Sequence, residues 1–569
     1  MIGAGLRAET ERWIAGDPDE RDRAELRALL DDGGEAAAAD LADRFGARLE
    51  FGTAGLRGAI GAGPNRMNRA VVRAATAALA GWLSSYRGPD AAQAGVVIGC
   101  DARHRSDEFA EEAARVLAGA GIRARLLPRR QPTPLLAFAV RHLRAAAGIM
   151  ITASHNPPAD NGYKLYLGDG AQIIPPVDKQ IAGAIAELGD LSQIPVALPD
   201  SPLIARLGDE VARAYLDAIV AAVPGPATSG GEPPGVRVVY TPLHGVAAGL
   251  ALRAFERAGF GPPQVVAAQA EPDPAFPTVA FPNPEEPGAL DLALAQARDT
   301  GADLVIANDP DGDRLAVAVP DATAPGGWRA LTGDQVGGLL GAYLLDRAPG
   351  PEPSARLVAT TVVSSTLLAK VAAAAGVRYA ETLTGFKWIV RAADGVPGAR
   401  FVFGYEEALG YAVTPAVRDK DGMSAALALL SLAATARAAG QSLLDRWDAL
   451  EAAHGVHLTA QVTLPTRAPA QVMAGLRARP PARVADLPVT AVTDLAAGAS
   501  GLPPSDVLTY HLAGARVVIR PSGTEPKVKA YLEVVEPVVG GSLAVARSAA
   551  AGRLAPLRAA VAALVAGSG

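Results

Sequence analysis

The sequence has one cysteine, Cys100, among its 569 residues. A single thiol excludes a disulfide framework and a cysteine zinc site. The N-terminal residues contain no apolar core of the kind found in a signal peptide. The longest apolar run, near residues 425–436, is too short to span a bilayer. We therefore expect a cytoplasmic protein that does not act at a membrane.

Basic residues do not dominate the chain, whose formal net charge is −6 at pH 7. This balance argues against a nucleic-acid partner. Lysine is scarce, with seven lysines against 46 arginines; four of the seven lie in the motifs described below, and Lys529 lies two residues beyond one of them. Arginine keeps its proton, whereas lysine releases its proton once its pKa is lowered. A lysine inside a motif is therefore a candidate for acid–base chemistry or phosphate binding.

Three common motifs are also missing, namely the Walker A pattern, G-x-G-x-x-G and G-x-S-x-G. Their absence argues against a P-loop nucleotidase, a Rossmann dehydrogenase and an α/β-hydrolase. The chain instead repeats an apolar β-rich run, a Gly-rich or charged loop, and a helix rich in Ala and Leu. This alternation predicts mixed or mostly parallel sheets, with ligand loops at the carboxyl ends of the strands.

The two ends of the chain differ from this repeat. Residues 6–48 alternate charged and apolar side chains at helical spacing and predict an N-terminal helical segment. From about residue 456 the pattern changes to short strands and a terminal Ala-rich helix. We predict an α/β protein with three similar α/β domains and a smaller C-terminal α+β domain around a central cleft. The predicted domains are 1–205 (with the helical segment), 206–325, 326–455 and 456–569.

The stretch ITASHNPPADNGYKLY, residues 151–166, contains a candidate nucleophile, Ser154. An apolar run before it reads as the end of a buried strand, and the prolines with Asn161 and Gly162 predict irregular structure after it. Serine is a weak nucleophile unless a base or a charged partner activates it. His155 and Lys164 are the nearest candidates for that role. The alternative is an ordinary surface turn.

The sequence DPDGDR, residues 309–314, follows a predicted strand and contains three carboxylates, on Asp309, Asp311 and Asp313. Alternate residues of an extended segment point to one side, so we expect the three carboxylates to converge. Hard oxygen ligands in this number suit Mg²⁺. An EF-hand is excluded because Arg314 and Pro320 occupy its sixth and twelfth positions. A solvated acidic turn is the remaining alternative.

Two loops have the composition of phosphate-binding sites. Residues 51–58 form a Gly-rich loop in which Arg57 could clamp a phosphate. Residues 520–527, RPSGTEPK, combine a guanidinium, hydroxyls, a glycine turn and a lysine after a predicted strand. A flexible turn and a polar hairpin are the respective alternatives. The candidate ligands of the second loop are Arg520, Ser522, Gly523, Thr524 and Lys527.

Three further loops could select a sugar. GYEEALG, residues 404–410, places two glutamates on a turn, and carboxylates accept hydrogen bonds from sugar hydroxyls. Acid–base chemistry of the glycosidase kind would need a second, facing carboxylate that nothing supplies. Residues 384–388 and 418–422 could orient a polar phosphorylated ligand. The candidate residues in these loops are Thr384, Gly385, Lys387, Glu406 and Lys420.

Together, and in this order along most of the chain, these loops resemble the α-D-phosphohexomutase superfamily of phosphoglucomutases and phosphomannomutases. The resemblance implies that Ser154 carries a phosphoryl group and that the three aspartates hold Mg²⁺ with a phosphoserine oxygen. It implies that Lys164 is the general acid–base, with a pKa depressed by Mg²⁺ and arginines. Arg57, His155 and Arg314 complete the expected catalytic set.

The implied activity is that of a phosphoglucomutase, which interconverts glucose 1-phosphate and glucose 6-phosphate through a phosphoserine and a 1,6-bisphosphate that also serves as activator. GYEEALGY and LTGFKWI are most like the phosphoglucomutase/phosphopentomutase branch, but Ala408 replaces a serine that is usual in the sugar loop. A phosphopentomutase, a phosphomannomutase and a bisphosphate synthase are therefore alternatives. A metal-dependent sugar phosphatase and a non-catalytic sugar-phosphate binder are alternatives from other classes.

Overall fold

The computed structural model describes residues 2–52, 55–225, 235–347, 352–498, 501–522 and 527–567. The chain forms two compact units, each built from three segments. The first unit comprises Met1–Ala222, Arg237–Ala318 and Ala416–Leu427, and the second comprises Val223–Val236, Val319–Pro415 and Ala428–Gly569. The domain boundaries predicted from the sequence stay predictions.

The first sheet of the first unit has the strand order β1-β5-β4-β2-β3-β6. Strands β2, β3, β4 and β6 run parallel, whereas β5 runs antiparallel to β4 and β1. Every residue of β2 and β4 is buried, as their continuous apolar runs predict. The strands are β1 (Leu56–Ala59), β2 (Val96–Cys100), β3 (Ala124–Leu126), β4 (Ala147–Ile151), β5 (Asp160–Leu167) and β6 (Ile204–Arg206).

Helices surround this sheet, and the predicted N-terminal helical segment is present. Its helices α1, α2 and α3 share a small core around Leu26 and Leu41. Helix α4 begins after Asn68, whose side chain accepts a hydrogen bond from the Val71 amide at 2.8 Å. The helices are α1 (Ala4–Gly16), α2 (Glu20–Asp32), α3 (Glu35–Phe45), α4 (Arg69–Arg87), α5 (Pro89–Ala94), α6 (Ser106–Gly119), α7 (Thr133–His142), α8 (Val177–Glu187) and α9 (Glu210–Ala222).

A second, five-stranded sheet has the strand order β11-β10-β9-β7-β8, of which β7, β8, β9 and the start of β10 belong to this unit. Strands β7, β8 and β9 are parallel and β10 is antiparallel to β9. The turn between β9 and β10 carries the three aspartates, as predicted. The elements are β7 (Val238–Thr241), α10 (Ala248–Arg257), β8 (Gln264–Val265), α11 (Asp291–Thr300), β9 (Leu304–Ala307) and β10 (Ala316–Pro320).

The second unit contains a mixed sheet with the strand order β13-β12-β14-β15, in which β12 is parallel to β13 and β14. Helix α15 begins in the last segment of the first unit and continues into the second. The elements are β11 (Trp328–Ala330), α12 (Gly333–Arg347), β12 (Arg356–Thr361), α13 (Leu367–Ala374), β13 (Arg378–Thr382), α14 (Phe386–Ile389), β14 (Arg400–Glu406), β15 (Gly410–Ala412), α15 (Gly422–Ala438) and α16 (Leu443–His454).

The C-terminal part of the second unit is an antiparallel sheet with helices, which confirms the predicted α+β domain. Its strand order is β16-β21-β20-β19-β18-β17. The elements are β16 (Val456–Pro465), α17 (Pro469–Ala478), β17 (Arg483–Val484), β18 (Leu487–Asp494), β19 (Leu508–Leu512), β20 (Ala515–Pro521), β21 (Lys527–Glu536) and α18 (Leu543–Ala566).

The sequence predicted no apolar segment long enough to span a bilayer. Among the described residues, however, helix α18 has the length and the apolar composition of a membrane span. In the structure one face of this helix packs into the core of the C-terminal sheet. Its Arg547 pairs with Glu451, and its Arg553 pairs with Glu536. These contacts make α18 part of the packed C-terminal α+β domain.

The segment after Ser154 also differs from the expectation. Asn161 and Gly162 were expected in irregular structure, yet both lie in strand β5. A Cβ atom at Gly162 would lie 2.6 Å from the carbonyl oxygen of Thr152 and 2.7 Å from that of Leu56. The glycine therefore permits the close approach of neighbouring strands, and it does not break the strand.

Candidate active site

Ser154 lies three residues beyond the carboxyl end of β4 and is buried. Its backbone has φ = +54°, in the left-handed region, and its amide donates to Thr152 Oγ1 at 2.8 Å. A non-glycine residue in this region costs conformational energy and is frequent at functional sites. The loop therefore holds the predicted nucleophile in one strained conformation.

The Ser154 side chain contacts both a carboxylate and an imidazole. Its Oγ donates to Asp309 Oδ2 at 2.9 Å and lies 3.2 Å from His155 Nδ1. Burial lowers the pKa of His155 well below its usual value, and the guanidinium groups of Arg314 and Arg57 lower it further. The imidazole is consequently neutral at pH 7 and can exchange a hydrogen bond with the serine hydroxyl.

The three aspartates converge, but not in the way that the sequence suggested. The segment is a turn in which the Gly312 amide donates to the Asp309 carbonyl at 2.9 Å, so it is not an extended strand. Gly312 has φ = +71°, a conformation that glycine adopts without steric cost. One carboxylate oxygen from each of Asp309, Asp311 and Asp313 lies within 4.8 Å of the others.

The electrostatics of this turn suit a divalent cation. Asp311 Oδ1 and Asp313 Oδ1 are buried and accept no hydrogen bond from the residues that the structure describes. Burial raises the pKa of Asp309 well above its usual value, and the two neighbouring carboxylates raise it further. Concentrated oxygen donors with unpaired lone pairs fit Mg²⁺. Asp309, Asp311, Asp313 and Ser154 Oγ are the groups that would hold it.

Lys164 lies on β5, and its Nζ is buried against the same turn. It donates to Asp311 Oδ2 at 2.7 Å and to Asp313 Oδ2 at 3.0 Å. Burial lowers the pKa of Lys164, but these two carboxylates outweigh burial and hold the pKa above its usual value. In turn, although burial opposes ionisation of Asp311, Lys164 keeps the pKa of that carboxyl well below its usual range. The expected depression of the lysine pKa was assigned to bound Mg²⁺ and to arginines, so it stays a prediction for the metal-bound site.

Lys420, which was predicted to bind the substrate, lies at the turn of residues 309–313, here called the metal turn. Its Nζ is 3.2 Å from Asp313 Oδ2. Next to it, Asp419 accepts hydrogen bonds from Tyr166 Oη at 2.7 Å and from Gln172 Nε2 at 2.8 Å. A Cβ atom at Gly422 would lie only 2.2 Å from the Arg314 carbonyl oxygen. Glycine at that position therefore lets residues 416–427 pack against the metal turn.

The two predicted catalytic arginines also lie in the first unit. Arg57, on β1, donates from Nη1 to Asn156 Oδ1 at 3.1 Å. Asn156 belongs to the loop of residues 152–159, which we call the serine loop. The backbone amide of Arg314 donates to Asp309 Oδ1 at 2.9 Å, and its Nη1 is 3.5 Å from Glu285 Oε2. Both guanidinium groups contribute positive charge beside the carboxylates. Arg57, His155, Lys164 and Arg314 thus gather around Ser154 or the metal turn.

The remaining predicted residues belong to the second unit. Arg520 Nη1 donates to Thr384 Oγ1 at 3.3 Å, so two of the predicted loops meet. Gly385 precedes α14, which contains Lys387, and Glu406 ends β14. The Ser522 amide donates to the Lys527 carbonyl at 2.8 Å. Gly523 and Thr524 lie outside the described residues.

Sequence reasoning missed two residues of the first unit. Thr133, at the start of α7, donates from Oγ1 to Asp311 Oδ2 at 2.6 Å. Arg103 donates from Nη2 to the Ser154 carbonyl at 2.6 Å. A signal for Arg103 existed, because Asp101 and Arg103 directly follow the carboxyl end of β2, where ligand loops of parallel sheets lie. No comparable signal marked Thr133.

A serine hydroxyl that donates to a turn of three carboxylates able to hold a divalent cation, beside a buried lysine, fits an enzyme that transfers a group through the serine. Comparison with protein families narrows this class. The descriptions that match are "Phosphoglucomutase/phosphomannomutase, alpha/beta/alpha domain I" over residues 48–191, domain II over 213–324, domain III over 332–450, and the C-terminal domain over 476–547. The chain belongs to this family, within the α-D-phosphohexomutase superfamily, and is an intramolecular phosphotransferase of the isomerase class.

Individual relatives carry different names. A "Probable phosphomannomutase" of Haemophilus influenzae is 42% identical and aligns over 82% of this chain and 93% of its own length. The "Phosphopentomutase" of Homo sapiens is 36% identical over 94% of this chain and 92% of its own length. The crystal structure of a phosphoglucomutase/phosphomannomutase family protein from Burkholderia thailandensis shares the fold, with a TM-score of 0.67, 22% identity, and 91% of this chain and 98% of that chain covered.

Proposed function

We propose that the protein interconverts glucose 1-phosphate and glucose 6-phosphate through a phosphorylated Ser154 and a glucose 1,6-bisphosphate, with that bisphosphate also acting as activator. The hydrogen bond from Ser154 Oγ to Asp309 Oδ2 carries this proposal, because it joins the hydroxyl to the carboxylate cluster. Serine requires such a partner to act as a nucleophile. A solvated surface turn would bury neither group.

In the first half of the proposed reaction, the phosphoryl group passes from Ser154 Oγ to the 6-hydroxyl of glucose 1-phosphate. The Oγ–P bond breaks, a new O–P bond forms, the sugar hydroxyl loses its proton and Ser154 Oγ regains one. In the second half, the bond between the C1 oxygen and phosphorus breaks, a new bond forms between Ser154 Oγ and that phosphorus, Ser154 Oγ loses its proton and the departing sugar oxygen takes one up. The phosphate is thereby moved from one end of the sugar to the other.

Lys164 is the proposed proton carrier. Its raised pKa keeps the ammonium group protonated at neutral pH, which suits a donor to the departing sugar oxygen. Once it has given up that proton, the neutral amine accepts the proton of the attacking sugar hydroxyl in the opposite half-reaction. Arg57 and Arg314 stabilise negative charge on the transferring group. Mg²⁺, when bound by the three aspartates, supplies further positive charge opposite the phosphoryl oxygens.

The loops of the second unit are the proposed sites of substrate selection. The loop around Arg520, Ser522 and Lys527 has the donors to hold the phosphate that is not reacting. Glu406 has the carboxylate to accept hydrogen bonds from sugar hydroxyls. Its neighbour Glu407 is held by Ser364 Oγ, which donates to Oε2 at 3.1 Å. This bond fixes the turn that presents Glu406.

The first test of this proposal is the phosphorylation state of Ser154. We expect intact-mass and peptide analysis of active enzyme to show one phosphate on Ser154, and Ser154→Ala to lose turnover while keeping the thermal stability of the parent. An alanine variant with parental turnover would exclude the role. Stoichiometric release of inorganic phosphate from glucose 1-phosphate would instead identify a phosphatase.

A pentose substrate is the second candidate, favoured by Ala408 and by the match to a phosphopentomutase along nearly the whole chain. Loss of the usual serine hydroxyl removes one hydrogen-bond partner of a hexose. The measurement is kcat/KM for the 1-phosphates of glucose, mannose, glucosamine, ribose and deoxyribose, with the matching bisphosphate present. A higher kcat/KM for either pentose than for glucose would establish a phosphopentomutase.

A further inference from the structure

The Arg103 side chain, which is almost fully buried, makes four hydrogen bonds to one loop. Its Nη2 donates to the carbonyl oxygens of Ser154, at 2.6 Å, and Asn156. Its Nη1 donates to those of Pro157, at 2.7 Å, and Asp160, at 3.1 Å. One guanidinium group therefore spans the serine loop from the nucleophile to the first residue of β5.

This arrangement meets a requirement of the loop backbone. Residues 152–159 form no strand or helix, so their carbonyl groups need other partners once they are buried. Arginine presents five N–H donors in a rigid plane, whereas lysine presents three on a flexible stem. Only the planar group can satisfy four carbonyls at fixed positions, and it thereby fixes the strained backbone of Ser154.

Arg103 also contacts the part of the chain that carries the metal turn. Its guanidinium carbon lies 5.1 Å from the ring centroid of Phe276, a buried residue between β8 and α11. A cation over an aromatic face is stabilised by the ring quadrupole. Arg103 therefore lies between the serine loop and the polypeptide that leads to Asp309, the partner of the serine hydroxyl.

The loop that carries Arg103 is itself held at several points. Asp101 Oδ1 accepts hydrogen bonds from the Arg103 amide at 3.0 Å and from Ser106 Oγ at 2.7 Å. Asn161 Nδ2, on β5, donates to the His104 carbonyl and to Ser106 Oγ, both at 2.9 Å. The position of the guanidinium is thus determined by the backbone on which it stands.

The N-terminal helices hold the same loop from outside. Arg105, in the left-handed region with φ = +63°, donates from Nη1 to Asp22 Oδ1 at 2.8 Å and pairs through Nη2 with Asp19. Asp19 and Asp22 lie at the start of α2. This helix precedes residue 48, where the match to the family begins.

We propose that Arg103 is the positioning residue for Ser154, and that the N-terminal helices hold Arg103 in place through Arg105. This inference rests on the proposed role of Ser154 as the phosphorylated nucleophile. Arg103 does not touch the hydroxyl and acts only through the backbone. Its loss should therefore slow phosphoryl transfer without weakening substrate binding.

The test compares Arg103→Lys with Arg73→Lys, a control on α4 of the same unit in which the partly buried Arg73 pairs with Glu112. We measure kcat, KM for glucose 1-phosphate, and the rate at which glucose 1,6-bisphosphate phosphorylates Ser154, followed by intact mass. A misplacement of about 1 Å costs about 10²-fold in rate. We expect Arg103→Lys to lose about that factor in kcat and in phosphorylation rate, with KM changed less than about threefold. Arg73→Lys should keep parental values.

The outcomes separate the two proposals. Absence of phosphate from Ser154 in the parent enzyme would contradict the proposed function. A phosphorylated parent together with an Arg103→Lys variant of parental rate would overturn the present inference, as would a loss confined to KM. The role of the N-terminal helices is tested with Arg105→Ala, which should lower the rate of Ser154 phosphorylation about tenfold at unchanged KM. A parental rate in this variant would show that these helices do not hold Arg103 in place.

If Arg103→Lys does not fold, as judged by its thermal transition, Phe276→Leu replaces it. This variant removes the ring beneath the guanidinium and leaves the four hydrogen bonds in place. We expect about a tenfold loss in phosphorylation rate at unchanged KM, since a desolvated cation–π contact is worth about that much. An unchanged rate in a folded Phe276→Leu variant would overturn the inference.

Discussion

Each compact unit buries a cluster of charged side chains, and the two clusters are built differently. The catalytic cluster of the first unit consists of Asp309, Asp311, Asp313, Lys164 and Lys420. Two of its carboxylate oxygens have no hydrogen-bond partner among the described residues. Lys164 and Lys420 pair with Asp311 and Asp313, and the guanidinium groups of Arg57 and Arg314 add positive charge, so this cluster balances its charge without satisfying every oxygen.

The structural cluster of the second unit consists of Glu533, His457, Arg516, Ser365 and Thr366. Glu533 Oε1 accepts hydrogen bonds from Ser365 Oγ at 2.7 Å, the Thr366 amide at 2.8 Å and His457 Nδ1 at 2.9 Å. Its Oε2 accepts one from Arg516 Nε at 2.9 Å. Burial opposes ionisation, yet these donors lower the pKa of Glu533 to about 2.

The comparison teaches where to look for chemistry in a buried polar network. A carboxylate whose two oxygens are both satisfied contributes to stability and leaves nothing for a ligand. Carboxylates that crowd one another and keep unpaired oxygens reduce stability and remain ready to bind a cation. The following variants should therefore separate catalysis from stability between the two clusters.

The largest effect is expected for Lys164→Arg in the catalytic cluster. Arginine retains the charge but cannot exchange a proton, and general acid–base catalysis contributes about 10²–10⁴-fold. We expect kcat to fall by that order with little change in affinity for glucose 1-phosphate. The control is Lys370→Arg, an exposed lysine of the second unit whose Nζ donates to the His454 carbonyl at 3.0 Å. A loss confined to affinity would assign Lys164 to phosphate binding.

Asp309→Asn should lower kcat and raise stability together. The pKa of Asp309 is raised in the folded protein, so the free energy of unfolding falls as pH rises above 3.8, the value in the unfolded chain. A neutral amide at this position removes that loss of stability at pH 7. We expect about a 10²-fold loss of kcat, a higher Mg²⁺ concentration for half-activation, and a thermal transition in EDTA no lower than that of the parent. A lower transition temperature would contradict the inference that the crowded carboxylates of this cluster reduce the stability of the protein.

The smallest effect on turnover is expected for Glu533→Gln, and its main effect falls on stability. The pKa of Glu533 is lowered from 4.5 to about 2, so its stabilisation is present above pH 4.5 and is lost as pH falls towards 2. Because one pKa unit corresponds to about 1.4 kcal/mol, the free energy of unfolding of the variant should be lower by up to about 3 kcal/mol at neutral pH. Denaturant unfolding at pH 7 and pH 3 measures this. An equal loss at both pH values would refute the electrostatic origin.

Much of the fold follows from local patterns in the sequence. Strands β2, β4, β9 and β12 coincide with apolar runs, and the predicted loops follow their carboxyl ends. Such runs are short-range signals, because burial on both faces requires continuous hydrophobicity. The serine and the aspartates were identified for the same reason, since each follows directly on a strand.

Other features depend on contacts between distant residues and could not be predicted. Lys420 joins the metal turn only because Gly422 has no side chain to strike the Arg314 carbonyl. The pKa of Lys164 rises because Nζ meets two carboxylates about 150 residues away in sequence, a distance that no local pattern encodes. The position of Arg103 after β2 marked a ligand loop, but its role was overlooked because its partners are backbone carbonyls, which the sequence does not identify.

The assignment of residues 416–427 to the first unit has a consequence for how the protein is made. The polypeptide that completes the surroundings of the metal turn is synthesised about a hundred residues after Arg314, which at about 5–20 residues per second means a delay of about 5–20 s on the ribosome. Until then, the nascent N-terminal half exposes the backbone against which Gly422 packs. A fragment that ends at residue 318 would retain the serine and the aspartates but lack Lys420. Dissection of the chain at the apparent domain boundaries would therefore separate a lysine from the carboxylate that it contacts.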